Sequence, residues 1–178
     1  MRWSDGHLFT TEDILFWWNH IANEKSILAD VPGIMKVRGR SGTMEKIDEY
    51  TLRITFPYPN GIFLAKLASD GMNGGGEIYA NMLSYPAHYL RQYHPLLGDP
   101  EIIRQRLKET RLQNPASLFR NLLYNVQNYP DYPRLWPWIY RKYQATPPYC
   151  LVRNPYYWMV DTQGNQLPYI DSIVFTQR

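Results

Sequence analysis

Apolar and polar positions follow two periods along this chain, and the changes from one to the other mark its elements. Between Phe9 and Asn23 the apolar residues recur at about 100° per residue. Ile14, Leu15, Trp18, Ile21 and Ala22 share one side, which predicts a helix with that stripe turned to the core, flanked by Trp17. Thr10 or Thr11 supplies the N-cap, and Glu12 and Asp13 stand in the first turn, where carboxylates meet the positive end of the dipole. Phe16 breaks the pattern. It falls on the polar side, among Glu12, Asn19, His20 and Asn23, and so requires a partner from elsewhere in the chain.

The stretch "PGIMKVRGRSGT" mixes glycines with charges and predicts a loop. After it the period changes to two: Leu52, Ile54 and Phe56 alternate with Thr51, Arg53 and Thr55, the second strand of a hairpin whose first strand ends near Ile47 and whose turn is "IDEY". "PYPNG" ends that strand, "IFLAKLAS" predicts a short helix, and "DGMNGGG" a flexible run without the spacing of a phosphate cradle. "SYPAHYLRQYH" predicts a short helix with Pro86 near its first turn, and residues 99–112 an amphipathic one. A third spans "NPASLFRNLLYNVQN", with Asn114 as N-cap, Pro115 at the first position, and Leu118, Phe119, Leu122, Leu123 and Val126 as its stripe. "YPDYPRLWPWIY" carries too much proline for either period and reads as an extended connection laid over the surface. "YCLVR" and "IDSIVF" are the last two strands, joined by the turn-rich "NPYYWMVDTQGNQLP".

Composition narrows the class. With 178 residues, the chain can bury about 70% of its unfolded surface without disulfide staples. The 44% hydrophobic and 20% charged fractions are those of an ordinary globular protein, while 15 Tyr and 6 Trp are a surplus suited to half-buried or binding surfaces. A net charge of +3 is too small to indicate nucleic acid, and the densest basic run, Arg104–Arg111, reads as the wet face of a helix buried through Ile103 and Leu107. Cys150 is alone and is expected to act as a small hydrophobe. No apolar run reaches membrane-spanning length, and "MRWSDGHLFT" has no signal-peptide apolar region, so neither membrane insertion nor a signal peptide is expected within these residues.

Catalytic patterns are absent from the linear sequence. His7, His20, His88 and His94 show no metal-pair spacing, no Gly-x-Ser-x-Gly elbow occurs, and the Asp161–Asp171 loop lacks the alternating oxygen ligands of a calcium loop. No metal and no cofactor are expected. A hydrolase working through Asp161 or Asp171 stays open only if the fold brings carboxylates together.

Two stretches carry a resemblance. "RWSDGHLFTTEDILFWW" resembles a Lys/Arg-Trp-Ser-Asp-Gly-x-x-Phe-Thr-x-x-Asp segment that leads into an apolar helix, and "RNPYYWMVDTQGNQLPYIDSIVF" resembles an Arg-Asn-Pro-x-Tyr-Trp segment with the strand after it. "EYTLRITFPYPNGIFLAKLA" and "PAHYLRQYHP" lie between them in matching order. The family is the extracellular solute-binding proteins, family 5, of bacterial ABC importers, the oligopeptide- and dipeptide-binding type. The resemblance runs from Arg2 to Phe175.

It implies an α+β fold, an incomplete lobe of a type II periplasmic-binding protein with a mixed sheet and several helices. Residues 1–147 would be part of the accessory subdomain of the first lobe, 148–178 strands returning to its central sheet, and the second lobe would lie outside the chain. The implied protein is a periplasmic or lipid-anchored extracellular receptor, not an enzyme, that binds a peptide and delivers it to a membrane permease. An oligosaccharide ligand is the alternative within the family, and a free-standing protein-interaction module the alternative outside it. Most motif residues are expected to be structural. Trp3 packs at a strand end, Asp5 bonds backbone two residues on, Asn154-Pro155 turns the chain, and Tyr156, Tyr157 and Trp158 pack over the sheet edge. Phe16 alone is expected to line the ligand cleft, in place of an aromatic that the matching helix of some peptide binders presents. Without the hydroxyl of a tyrosine it makes no hydrogen bond there.

Overall fold

The computed structural model describes residues 1–70, 82–142 and 148–176. The chain divides by packing into two units, Thr10–Leu123 and the pair Met1–Phe9 with Tyr124–Arg178.

In the larger unit, helix α1 (Thr11–Trp17) starts at a capping box: Glu12 N–H donates to the Thr10 hydroxyl at 3.3 Å and Thr10 N–H donates to Asp13 at 3.0 Å. The helix then widens into a π-helical turn, Trp18–Ala22, where Asn23 donates to the Trp18 carbonyl through both its backbone and its side chain. Phe16, Trp17 and Trp18 are buried while Ile14 and Leu15 are only half-buried, so the expected stripe is displaced toward the aromatic run.

"PGIMKVRGRSGT" is not a plain loop. Gly33–Met35 forms a 3-10 turn, and β1 (Lys36–Val37) pairs with β2 (Arg40–Ser41) across Arg38 and Gly39, both at positive φ. That is the backbone a tight two-residue hairpin turn demands. The next hairpin matches expectation: β3 (Thr43–Lys46) pairs with β4 (Leu52–Thr55), with Met44 opposite Ile54. Helix α2 covers Phe63–Asp70. From Gly71 on, the glycine-rich run lies outside the described residues.

Helix α3 (Ala87–Leu90) continues as a 3-10 turn, Arg91–Tyr93. Helix α4 (Pro100–Thr110) is capped by Asp99 and ends at Arg111 in the left-handed region, with Ile103 buried as its periodicity requires. Helix α5 (Pro115–Tyr124) is capped by Asn114, which accepts from Ser117 N–H at 2.8 Å, and buries Leu118, Phe119, Leu122 and Leu123. Val126 is not on this stripe; it opens a separate 3-10 turn, Val126–Asn128.

The smaller unit is built on a three-stranded antiparallel sheet in the order β5 (Trp138–Lys142), β6 (Tyr149–Arg153), β7 (Ser172–Phe175). Ile139 faces Val152, and Leu151 faces Ile173. Hence β5 and β6, on either side of residue 147, are hydrogen-bonded neighbours. The proline-rich segment before the sheet corrects its expected place on the surface. Tyr129, Tyr132 and Arg134 are buried and the segment ends in a strand, because its prolines fall before the hydrogen-bonded register begins. Cys150 is half-buried.

Candidate functional site

The two motifs that the sequence sets furthest apart meet in the smaller unit, around a residue that periodicity does not single out. Trp3 is fully buried against Phe9, and the turn behind it closes through Gly6 N–H to the Trp3 carbonyl and His7 N–H to Asp5 at 3.1 Å. Ser4 then clasps Arg134 from both sides: its N–H donates to the Arg134 carbonyl at 2.9 Å, and its hydroxyl accepts from Arg134 N–H at 2.9 Å. From the other motif comes Asn154, with no exposed surface. It donates its amide to the Trp136 carbonyl at 2.9 Å and to the Arg134 carbonyl at 3.4 Å, and accepts from Tyr156 N–H. The Tyr156 ring lies 3.1 Å from where a Cβ on Gly6 would stand, and Gly6 has φ +91°, so both conformation and space call for glycine.

Arg134 is the centre of this junction. Its guanidinium donates to the carbonyls of Tyr132 at 2.6 Å, of Tyr129 at 3.0 Å and of Val126, and its charge lies over the rings of Tyr132, Trp136 and Tyr140. Planar donors and aromatic faces are what let a guanidinium sit where little water reaches. Burial raises the Tyr132 phenol far above its ordinary range, against the opposing pull of Arg134. "RNPYYW" is therefore mostly scaffold: Asn154 and Tyr156 belong to the junction. Trp158 departs from the expected packing and is 55% exposed.

Phe16 lies in the larger unit and is 2% exposed. The partner its polar helix face required comes from two places. The His20 ring lies 5.2 Å away, the His94 ring meets it edge-on at 6.1 Å, and the Arg91 guanidinium covers it at 5.6 Å. His94 also packs edge-on against Phe119. Sequence spacing missed this histidine pair because the two rings lie 74 residues apart. Asp13, expected only to face the helix dipole, is buried and also accepts Ala87 N–H at 2.8 Å, tying α1 to the start of α3.

The two carboxylates named as hydrolytic candidates, Asp161 and Asp171, are each engaged with non-carboxylate partners. Asp161 is occupied by the N–H groups of Gln163 and Asn165, the Asn165 amide and the Tyr169 hydroxyl, and those hydrogen bonds, Tyr169's first, hold it well below the usual carboxylate range. Asp171 is solvent-exposed and pairs with Arg153 at 3.4 Å. Among the described residues no group of three or more His, Cys, Asp or Glu could hold a metal ion, and no helix is long and apolar enough to cross a membrane. A depression of about 210 Å³ is lined by Tyr93, Ile102, Gln105, Arg106 and Glu109. It is smaller than the roughly 300–1,000 Å³ usual for a ligand pocket.

Residues 1–177 match the model of the bacterial extracellular solute-binding proteins, family 5. The periplasmic alpha-galactoside-binding protein of Rhizobium meliloti (strain 1021) is 28% identical over 172 residues, which are 97% of this chain and 21% of that protein. Among solved structures, the oligopeptide-binding protein OppA superposes with a TM-score of 0.78 at 34% identity, over 97% of this chain and 25% of its own. The periplasmic binding protein MelB of Agrobacterium fabrum C58, solved with stachyose, gives 0.61 at 26%, covering 96% and 22%. The chain thus spans about a fifth to a quarter of the length of these relatives.

Proposed function

Since the chain belongs to the bacterial extracellular solute-binding proteins, family 5, a family of binding proteins and not of enzymes, we propose that it is part of the first lobe of an ABC importer's receptor whose ligand is a peptide. Its α+β architecture is a partial lobe of that fold. In the proposal, residues 1–147 contribute to the accessory subdomain and 148–178 to the central sheet. The whole protein works outside the cytoplasmic membrane and hands its ligand to a permease. The likeness to OppA carries the choice of a peptide, since it is higher in both identity and superposition than the likeness to the stachyose-bound MelB. An oligosaccharide is the second reading, favoured by the alpha-galactoside-binding relative and by exposed aromatic faces such as Trp158 and Tyr169.

Phe16 enters the proposal as the residue expected at the cleft, although its ring is 2% exposed and enclosed by His20, His94 and Arg91, so a ligand reaches it only where that packing opens. The test is calorimetric titration of the longest in-frame polypeptide containing these residues, with tri- to pentapeptides and with α-galactosyl oligosaccharides. Binding of the peptides alone is expected. Binding of the sugars alone would move the protein to the second reading. In the same polypeptide Phe16→Ala should weaken peptide binding, and unchanged affinity in a folded variant would remove Phe16 from the cleft.

A further inference from the structure

His94 is 1% exposed, and every polar atom it has is in use. Its N–H donates to the Arg91 carbonyl, and its own carbonyl accepts from Leu97 and from Gly98, the latter at 2.8 Å. Nδ1 accepts from Leu96 N–H at 3.2 Å, so that nitrogen carries no proton. Nε2, 3.2 Å from the His20 carbonyl, must then carry the proton and donate it. The ring is thus fixed as one neutral tautomer. Its acceptor partner lies in the last turn of the π-helical segment Trp18–Ala22, where carbonyls run out of partners within the helix.

We propose that His94 is a pH-operated cap: its neutral ring ties the end of the first helix to the Leu96–Gly98 turn, and protonation releases that turn. A proton on Nδ1 would face Leu96 N–H donor to donor, so this hydrogen bond cannot survive in the imidazolium form. The new charge would also stand between the rings of Phe16 and Phe119. Among the described residues, the titratable or charged groups that act on the site are His20 from the π-helical segment, Glu24 just after it and Arg91 from the turn that follows α3, while α5 presents the Phe119 ring. Burial pushes the His94 imidazole down from 6.5. The hydrogen bond to His20 opposes this, the His20 ring adds to it, Glu24 opposes it and Arg91 adds to it. His20 is lowered as well, first by burial and then by Arg91, with Glu24 opposing.

The sign follows from linkage. With the folded-state value below 6.5, the unfolded chain binds the proton more readily, so the stabilisation is complete above pH 6.5 and is lost as pH falls toward the lowered value. The turn that would be released carries Leu96 and Leu97, both already exposed, and closes at Gly98. A Cβ there would lie 2.4 Å from the Gln92 carbonyl oxygen, so the turn is packed too tightly to adjust while remaining closed.

Amide hydrogen exchange on the longest in-frame polypeptide containing these residues, corrected for intrinsic rates and followed from pH 7.5 to 5, tests this. The amides of Leu96, Leu97 and Gly98 should lose protection by up to about tenfold per pH unit within the window, while Ile103 in α4 stays level. His94→Gln keeps a donor and an acceptor but does not titrate, and should flatten the slope; His20→Asn should leave most of it. A slope that persists in His94→Gln, or that vanishes in His20→Asn alone, would overturn the proposal. Should the Gln variant not fold, nitrogen NMR of the wild-type imidazoles decides: a proton on Nδ1 of His94 at neutral pH would equally overturn it.

Discussion

Arg134 and His94 occupy equivalent roles in the two units of this chain. Each is a buried nitrogen side chain that donates to backbone carbonyls where a short helical segment ends. Arg134 serves the 3-10 turn Val126–Asn128 and the residues after it; His94 serves the π-helical turn Trp18–Ala22. Both are set among aromatic rings. The difference lies in what acid can do to them. A guanidinium stays protonated across the whole accessible pH range, so the Arg134 junction is permanent. An imidazole changes its hydrogen-bonding identity within a unit or two of neutrality, so the His94 cap is conditional. The lesson is that a caps-and-carbonyls architecture can be made rigid or responsive by the choice of one side chain.

The largest effect expected in this comparison is at Arg134. Arg134→Met keeps most of the aliphatic volume but leaves the carbonyls of Val126, Tyr129 and Tyr132 without this donor, and should cost on the order of 3 kcal/mol in urea unfolding. Arg134→Lys should restore only part of it, since an ammonium cannot span three carbonyls in one plane. If Met and Lys were both as stable as wild type, the junction would not depend on the guanidinium and the comparison with His94 would collapse.

Next in size is Gly98→Ala in the turn that His94 closes. The added Cβ meets backbone, not a flexible side chain, so a loss of about 1–3 kcal/mol is expected, and the pH response of Leu96 should shrink because the turn is already forced open. Unaltered stability would show that the turn yields easily and does not need a cap. The smallest effect is at Thr10. Thr10→Ala removes one acceptor of the capping box at the far end of the same helix and should cost about 1 kcal/mol without altering the pH slope. A changed slope there would mean that α1 and its π-helical end open as one piece.

The sequence alone was sufficient for much of this. Thr10 as cap, the β3–β4 hairpin, Asn114 as cap and the Leu118, Phe119, Leu122 and Leu123 stripe of α5 rest on interactions within a few residues or across one tight turn, and the last two strands on their own short apolar runs. Local propensity and period describe those interactions completely. The two motif stretches likewise indicated the family, because an ordered set of residue types survives without reference to where they sit. The widening of the first helix, the burial of Phe16, the meeting of His20 with His94 and the junction of Ser4, Arg134 and Asn154 were decided only by tertiary structure. Each joins side chains separated by tens of residues, up to 130 between Ser4 and Arg134, and nothing in a linear pattern specifies which distant carbonyl a buried nitrogen will find. Arg134 shows the point most plainly. As a letter it is one cation in a proline-rich stretch; only the closing of the chain around it turns that cation into the centre of a core.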